Sequence, residues 1–307
     1  MDVTVVSTRV NELQAALSAR APSDIVFHFA TGLDDLSEAA RLAPIALGAP
    51  DVLAPVLAHM DKLRWVQSTW AGITPFLEAP RRDYLLTGVK DIFGTSMAEY
   101  VLGWLLALER NILGHARAKR WHWELERGTS ELRLGIAGVG SIGAHVARAC
   151  RPFFADVVGL NSDGRPIDGC TRCFSMADRL DFATGLDALV MILPDTRSTD
   201  RLVDAQMLAQ LAPGAVLLNV GRANSLDHNA ACAALATGQL RGAVLDVLPV
   251  EPLPEDDPLW QVENLYITSH TSAPTQMDAI VGVFFRNLER FQQGQPLNGV
   301  IEFDRGY

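Results

Sequence analysis

A glycine-rich turn constrains the fold of this chain more than any other segment. An apolar run at 134–137 leads into GVGSIG at 138–143, and an alanine-rich stretch follows. Between a strand and a helix, the first glycine permits a tight turn, the second lets backbone approach a pyrophosphate, and the third allows close helix packing. The helix N-terminus favours the phosphate charge. The turn therefore predicts dinucleotide contacts, with packing alone as the alternative, at Gly138, Gly140, Ser141, Ile142 and Gly143.

Short apolar runs alternate with helix-like stretches along the chain, which predicts parallel sheets with crossover helices. The first series predicts strands at 3–6, 25–27, 45–47, 63–66 and 84–86. The second series predicts strands at 134–137, 157–160, 189–193, 216–220, 243–247 and 265–267. Between them, the apolar segment from Met97 to Leu113 predicts one long helix, and a last helix is expected at about 274–291.

The length of 307 residues favours two domains, because single cores stop growing near 250 to 300 residues. The predicted fold class is α/β. We expect a Rossmann-type doubly wound parallel sheet in a dinucleotide-binding domain at 101–279. Residues 1–100 and 280–307 are expected to form a smaller, flavodoxin-like α/β substrate domain, with the active site in the cleft between the two domains.

Composition and charge exclude several functional classes. With 49% hydrophobic residues, the chain can form a globular core, and its net charge of -10 disfavours nucleic acid and anionic lipid as partners. The sequence shows neither a long apolar span nor a secretion signal, so no membrane association and a cytoplasmic location are expected. The pair Cys170 and Cys173 lacks the second pair that a zinc ribbon needs, and no metal site is expected.

Three motifs downstream of the glycine turn each lie at the carboxyl end of a predicted strand: Asn219-Val220-Gly221-Arg222, the segment DVLPVEPLP at 246–254, and Ser269-His270. At these residues the chain resembles the D-isomer-specific 2-hydroxyacid dehydrogenases, over roughly residues 60–307. The segment at 65–72 is most similar to the glyoxylate and hydroxypyruvate reductase branch. The chain departs from the family pattern at Ser269, where proline is usual, and at Ala223, where glycine is usual.

The resemblance implies NAD(P)H-dependent reduction of a small 2-oxo acid, such as glyoxylate or hydroxypyruvate, to the D-2-hydroxy acid. Such a reaction needs a hydride donor, a fixed cation for the carboxylate and an acid for the developing alkoxide. Arg222 can supply the cation and His270 the proton, while Glu251 can orient the imidazole and favour its charged form. Each residue could also have no catalytic role: Arg222 could be a surface arginine, His270 a loop histidine and Glu251 a solvated acid.

The resemblance also implies contacts with cofactor and substrate. Small residues in the turn after the strand at 63–66 would leave backbone N–H groups for the substrate carboxylate. Trp70 could wall the pocket or pack in the core, and Asp246 could lie beside the nicotinamide amide or be buried strand-end structure. The implied cofactor contacts are Leu193, Pro194, Thr199, Val220, Gly221, Arg222, Asp246 and His270, and the implied substrate contacts are Trp70, Ala71, Gly72, Arg222 and His270.

The segment after the strand at 157–160 bears on the choice of cofactor. An enzyme of this fold that prefers NAD places Asp or Glu about 20 residues beyond the glycine turn. Here Asn161 takes the first position after the predicted strand and is neutral, Ser162 could donate to a 2′-phosphate, and Arg165 could neutralise it. These residues favour NADP(H) over NAD(H). A strand two residues longer would instead bring Asp163 to the discriminating position and favour NAD(H).

Family resemblance further implies a homodimer, with the segment from Met97 to Trp123 as a plausible arm. Trp104, Trp121 and Trp123 could be interface anchors or could pack on the helix. A different functional class also stays open at this point, because the same fold hosts proteins that sense a dinucleotide without turnover and act as regulators or scaffolds. The presence of Arg222, Glu251 and His270 favours an enzyme over a regulator or scaffold.

Overall fold

The computed structural model describes residues 1–121 and 128–304. The chain divides into two compact units. The first unit contains Met1–Ile92 and Thr275–Tyr307, and the second unit contains Phe93–Pro274.

The strands of the described residues all lie in parallel sheets. They are β1 (Asp2–Val6), β2 (Val26–Ala30), β3 (Ile45–Gly48), β4 (Trp65–Ser68), β5 (Leu85–Thr87), β6 (Arg133–Ala137), β7 (Asp156–Asn161), β8 (Arg172–Ser175), β9 (Ala188–Met191), β10 (Ala215–Asn219), β11 (Leu240–Leu245) and β12 (Leu265–Ile267). The helices are α1 (Val10–Ser18), α2 (Glu38–Arg41), α3 (Pro50–Leu53), α4 (Thr74–Glu78), α5 (Gly94–Glu109), α6 (Ile112–Arg117), α7 (Ser141–Cys150), α8 (Arg179–Ala183), α9 (Ala205–Leu208), α10 (His228–Thr237) and α11 (Met277–Gln292).

The first unit is built on a five-stranded parallel sheet in the order β2-β1-β3-β4-β5. This is the flavodoxin-like order, as expected from the sequence. Its central strands are buried on both faces, which explains their continuous apolar runs. On one face, α11 directs Ile280, Phe284 and Leu288 into the core, where Phe284 stacks on Trp65 with ring centroids 5.5 Å apart.

The segment after α11 returns to the same sheet. The amide nitrogen of Ile301 donates to the carbonyl of Leu86 at 2.9 Å, and Val300 forms an antiparallel bridge with Thr87. Asn287 on α11 donates to the buried side chain of Gln67 on β4 at 3.1 Å. These contacts attach the end of the described chain to the carboxyl half of β4 and β5.

The second unit contains a seven-stranded parallel sheet in the order β12-β11-β10-β9-β6-β7-β8. Counted from β6, its first six strands follow the Rossmann order 3-2-1-4-5-6, and β12 extends the sheet at one edge. The strand order reverses between β6 and β9, where ligands bind in open sheets of this kind. The predicted α/β fold class is therefore confirmed.

Several elements differ from the sequence-based expectations. β8 was not predicted, because this edge strand buries only Phe174 and carries polar residues on either side. The single helix predicted from Met97 to Leu113 is wrong: α5 ends at Glu109, Asn111 has a left-handed φ of 46°, and α6 then begins. β7 continues through Asn161, so placing that residue after the strand was also wrong. No helix among the described residues is long and apolar enough to span a membrane.

Packing of α11 predicts a large effect of truncating Phe284. Phe284→Ala should lower the free energy of unfolding by about 3–5 kcal/mol, because a fully buried ring is replaced by a cavity. The matched control is Phe153→Ala, whose ring is 41% exposed and whose loss should cost less than about 1 kcal/mol. Urea unfolding followed by tryptophan fluorescence measures both. Equal destabilisation by the two variants would contradict this account of the core.

Candidate active site

The glycine turn between β6 and α7 has the geometry that its sequence predicts. Gly138 has a φ of 97°, and a Cβ there would lie 2.4 Å from the Ile192 carbonyl oxygen. A Cβ on Gly143 would lie 2.4 Å from the carbonyl oxygen of Gly138. In contrast, a Cβ on Gly140 would meet nothing within 4 Å, so the space beside this residue is open. Ser141 and Ile142 begin α7 directly after Gly140.

The end of β7 lies beside the turn and presents a neutral residue. Asn161 is the last strand residue and is buried, and its Oδ1 accepts from the amide nitrogen of Gly164 at 2.6 Å. Asp163 is exposed and pairs with Arg165 at 3.1 Å. The backbone N–H of Arg165, together with this pairing, holds the pKa of Asp163 below its usual range. Ser162 is exposed between them.

The loops after β9 and β10 approach each other closely. A Cβ on Gly221 would lie 2.5 Å from the amide nitrogen of Leu193, so only glycine fits there. Val220 is buried and donates its amide hydrogen to Met191 on β9 at 3.0 Å. Thr199 is buried and donates its hydroxyl hydrogen to the carbonyl of Pro194 at 2.6 Å. The structure thus brings together the cofactor contacts that the sequence implied on β9 and β10.

His270 and Glu251 form a direct pair. The ring Nδ1 of His270 lies 2.9 Å from Oε2 of Glu251, and Oε1 of the same carboxylate accepts from the amide nitrogen of Leu248 at 2.9 Å. A carboxylate held at both oxygens fixes the plane of the imidazole and requires a proton on Nδ1. The opposite nitrogen, Nε2, then points away from Glu251. The side chain of His270 is 50% exposed, so a ligand can reach it.

Arg222 shares a cavity of about 760 Å³ with His270 and Glu251. It follows β10, and its Nη1 donates to the carbonyl oxygen of Gly221 at 2.7 Å. Burial lowers the pKa of the Arg222 guanidinium, and the negative charges of Asp195 and Glu251 oppose this shift. An arginine remains charged at neutral pH despite such a shift. The cavity therefore combines a fixed cation with a histidine that can exchange a proton.

Asp246 holds the loop that carries His270. This carboxylate is almost fully buried and accepts hydrogen bonds from the hydroxyl of Thr268 and from the amide nitrogens of Thr271 and Ser272, at 2.6 to 2.9 Å. Burial alone would raise the pKa of Asp246, but these hydrogen bonds keep it below the usual range. The amide nitrogen of His270 donates to the Asp246 carbonyl at 2.9 Å, while His270 itself has a φ of 54°. The network stabilises this left-handed backbone.

Tyr100 on α5 extends this network through Thr268. Its hydroxyl lies 2.6 Å from Oγ1 of Thr268, and burial raises the pKa of Tyr100 to about 12. The tyrosine is therefore neutral at physiological pH. Sequence reasoning missed Tyr100 and Thr268 as supports of the site. The two are 168 residues apart, and no local pattern links them.

Trp70, Ala71 and Gly72 lie in the first unit, after β4. The indole of Trp70 is 40% exposed, so the alternative that it packs in the core is wrong. Ser68 Oγ accepts from the amide nitrogen of Trp70 at 3.1 Å and donates to the Trp70 carbonyl at 2.8 Å. This tight turn leaves Ala71 exposed and Gly72 half-buried.

The cysteines carry none of these functions. Cys170 and Cys173 are free thiols, and burial together with the neighbouring Cys173 raises the pKa of Cys170 to about 12. Across residues 1–121 and 128–304, no group of at least three His, Cys, Asp or Glu side chains could hold a metal ion.

Comparison with known proteins defines the class. Residues 102–272 match the family model described as D-isomer specific 2-hydroxyacid dehydrogenase, NAD binding domain. A glyoxylate/hydroxypyruvate reductase A from Klebsiella pneumoniae subsp. pneumoniae is 28% identical over 304 residues, which cover 97% of this chain and 92% of the relative. The chain belongs to the D-isomer specific 2-hydroxyacid dehydrogenases.

Two solved structures are similar over nearly the full length. A D-isomer specific 2-hydroxyacid dehydrogenase from Xanthobacter autotrophicus Py2, in complex with NADPH and MES, is 28% identical with a TM-score of 0.92 and 99% coverage of both chains. An NADPH-dependent glyoxylate/hydroxypyruvate reductase from Sinorhizobium meliloti, in complex with NADP and sulfate, is 26% identical with a TM-score of 0.90, covering 100% of this chain and 99% of the other. The present chain is accordingly an oxidoreductase that acts on CH–OH groups with a nicotinamide dinucleotide.

Gly140 and Gly143 have different surroundings, so alanine should affect NADPH binding at the first and stability at the second. Gly140→Ala should fold normally but bind NADPH at least about tenfold more weakly, because its methyl group enters the space open to the pyrophosphate. Gly143→Ala should instead lower the melting temperature, because its methyl group collides with backbone. Fluorescence titration with NADPH and thermal unfolding measure the two effects. Native NADPH affinity in Gly140→Ala would contradict the assigned position of the phosphates.

Proposed function

We propose that this protein reduces a small 2-oxo acid, such as glyoxylate or hydroxypyruvate, to the D-2-hydroxy acid, with hydride supplied by NADPH. The observation that carries the proposal is the pair between His270 Nδ1 and Glu251 Oε2, at 2.9 Å, in the same cavity as Arg222. Reduction of a carbonyl needs a proton donor beside a cation that holds the substrate carboxylate. Regulatory binding of a dinucleotide would need neither group.

The three residues have different roles in the proposed reaction. Arg222 binds the substrate carboxylate and polarises the carbonyl oxygen through its planar donor fork. His270 delivers the Nε2 proton to the developing alkoxide as hydride arrives at C2 of the substrate. Glu251 contacts no substrate atom and acts as a positioning residue, since its carboxylate holds the imidazole from the Nδ1 side. In the reverse direction, His270 accepts the proton.

The remaining assignments follow the same proposal. The second unit is the dinucleotide-binding domain, and its cofactor contacts are the turn at 138–143 and the loops after β7, β9 and β10. The first unit is the substrate domain, in which the backbone at 70–72 receives the substrate carboxylate and Trp70 restricts substrate size. Asp246 supports the nicotinamide end of the site through the His270 loop.

The homodimer and the cytoplasmic location stay predictions. Of the tryptophans considered as interface anchors, Trp121 is 94% exposed, while Trp123 lies outside the described residues.

NADP(H) is the favoured cofactor. β7 ends at neutral Asn161, the first position after the strand is neutral Ser162, and the nearby Asp163 is paired with Arg165. A lone carboxylate would repel a 2′-phosphate, whereas Arg165 neutralises the carboxylate of Asp163. The similar enzyme from S. meliloti is described as NADPH-dependent, which supports the same preference here.

Replacing the proposed acid should abolish most of the turnover. His270→Ala is expected to reduce kcat for NADPH-dependent glyoxylate reduction by about 100-fold to 10,000-fold, the range for general acid catalysis. The affinity for NADPH should change little, as measured by fluorescence titration. His59→Ala, which removes an exposed histidine of the first unit, is the control. A kcat near the wild-type value in His270→Ala would remove this residue from the mechanism.

Arg222→Lys tests the cation while retaining its charge. Lysine lacks the bidentate fork, so KM for glyoxylate should rise and kcat should fall together. The exposed Arg151, directly after α7, offers a matched control, Arg151→Lys, which should leave both constants unchanged. If Arg222→Lys shows wild-type kinetics, Arg222 does not bind the substrate carboxylate.

Cofactor preference is tested by kcat/KM for NADPH and NADH. Wild type should prefer NADPH, and Asp163→Ala should increase that preference because it removes a negative charge from beside Arg165. Asp34→Ala, an exposed carboxylate of the first unit, controls for net charge. A wild type that prefers NADH and loses this preference in Asp163→Ala would show that Asp163 holds the ribose.

A further inference from the structure

Helix α5 contacts the edge strand β12 through aromatic side chains. Tyr100 and Trp104 lie about one turn apart on α5, with ring centroids 6.4 Å apart, and Trp104 packs on Tyr266 of β12 at 5.3 Å. The Tyr100 hydroxyl lies 2.6 Å from Oγ1 of Thr268, the first residue after β12. No residue of α5 lines the cavity that contains His270. The helix therefore contacts the histidine loop from outside that cavity.

The hydrogen bonds from α5 to Asp246 run in one direction. Burial alone would raise the pKa of Asp246, but its hydrogen bonds hold the pKa below the usual range, so the carboxylate is ionised at neutral pH and can only accept. Thr268 has a single hydroxyl proton and donates it to Oδ1 of Asp246 at 2.6 Å. The contact between Tyr100 and Thr268 is therefore a hydrogen bond that Tyr100 donates.

Tyr100 retains the proton that this direction requires. Burial and the negative charge of Asp246 raise the pKa of Tyr100 to about 12, so the phenol is neutral and can donate at physiological pH. The chain of donors runs from Tyr100 through Thr268 to a buried anion. In such a chain each hydrogen bond polarises the next, and a bond to an ionised acceptor is stronger than one between neutral groups.

Asp246 connects this chain to the backbone of the histidine loop. The same carboxylate accepts hydrogen bonds from the amide nitrogens of Thr271 at 2.8 Å and Ser272 at 2.9 Å. These residues directly follow His270, whose φ of 54° is unfavourable for a residue other than glycine. Glu251 holds the ring of His270, whereas the chain that ends on Asp246 holds the backbone from which the ring projects.

The hydroxyl of Tyr100 has an effect that can be separated from the packing of its ring. Phenylalanine would keep the ring contact with Trp104 and lose only the hydrogen bond to Thr268. The Thr268 oxygen would then lack its donor, and its own bond to Asp246 would weaken. A displacement of about 1 Å at a reacting group can reduce a rate by about 100-fold, so a small loosening of the loop should slow proton transfer.

We propose that Tyr100 is a positioning residue for His270 and acts through Thr268 and Asp246. The inference rests on the proposed reduction of 2-oxo acids with His270 as the acid. It adds to that reaction a side chain on α5 that does not line the cavity and that keeps the histidine loop in one conformation.

The test compares two tyrosine-to-phenylalanine substitutions within the second unit. Tyr100→Phe should reduce kcat for NADPH-dependent glyoxylate reduction by about five- to tenfold, the scale of one buried hydrogen bond. KM for glyoxylate should stay within about twofold, because Arg222 binds the carboxylate in the proposed reaction. Tyr266→Phe removes a hydroxyl from β12, two residues before Thr268, and should leave both constants within about twofold.

Each kcat is expressed per NADPH-binding site, counted by fluorescence titration. A variant that is merely less stable has fewer such sites, but its kcat per site is unchanged. A lower kcat per site at constant KM therefore distinguishes a positioning role from a structural one.

Substitutions of Thr268 show whether the effect passes along the proposed chain. Thr268→Val has nearly the same shape without the hydroxyl and should reduce kcat at least as much as Tyr100→Phe, whereas Thr268→Ser keeps the hydroxyl and should retain most of the activity. Tyr100→Phe combined with Thr268→Val should be no slower than Thr268→Val alone, because valine offers no acceptor to Tyr100.

The outcomes separate this inference from the proposed function. If the wild type reduces glyoxylate and Tyr100→Phe has the same kcat per site, the inference is overturned and the proposed function stands. The same holds if the two effects multiply in the double variant. Should Tyr100→Phe not fold, equal kcat in Thr268→Ser and Thr268→Val would overturn the chain. A wild type that does not oxidise NADPH with glyoxylate overturns the proposed function and the inference with it.

Discussion

The buried carboxylate of Asp246 determines the geometry of the candidate site. It accepts three hydrogen bonds from the loop at 268–272, and this loop places His270 in a left-handed backbone conformation. A non-glycine residue with positive φ is unfavourable by itself, so the surrounding hydrogen bonds must compensate for it. Glu251 then fixes the ring, and the position of Nε2 follows from the backbone and the ring together. The proposed acid is thus set by residues that do not touch the substrate.

The parallel sheet explains why these groups meet. Arg222 follows β10, Asp246 follows β11 and His270 follows β12, and these three strands are neighbours in the order of the sheet. The glycine turn follows β6, on the other side of β9. Because the carboxyl ends of parallel strands lie at one edge, the glycine turn, Arg222, Asp246 and His270 all lie along the same edge of the sheet. The fold therefore brings to one edge of the sheet residues that are spread over more than a hundred positions of the sequence.

Sequence patterns predicted the features that depend on local composition. The roles of Gly138 and Gly143, the alternation of strands and helices, and the residues Arg222, Glu251 and His270 could all be read from motifs. The sequence did not reveal β8, whose polar residues give no apolar run, or the left-handed break at Asn111. The hydrogen bond between Tyr100 and Thr268 depends on tertiary contacts, which no spacing in one sequence encodes.

The central claim is that hydride passes from the bound dinucleotide to C2 of a 2-oxo acid. Incubation of the enzyme with glyoxylate and NADPH deuterated at C4, followed by proton NMR of the product, tests this directly. Both faces of C4 should carry deuterium, so that the result does not depend on which hydrogen is transferred. The account predicts glycolate with one deuterium at C2, formed in step with NADP⁺. Glycolate without deuterium, or no glycolate in the presence of bound NADPH, would contradict it.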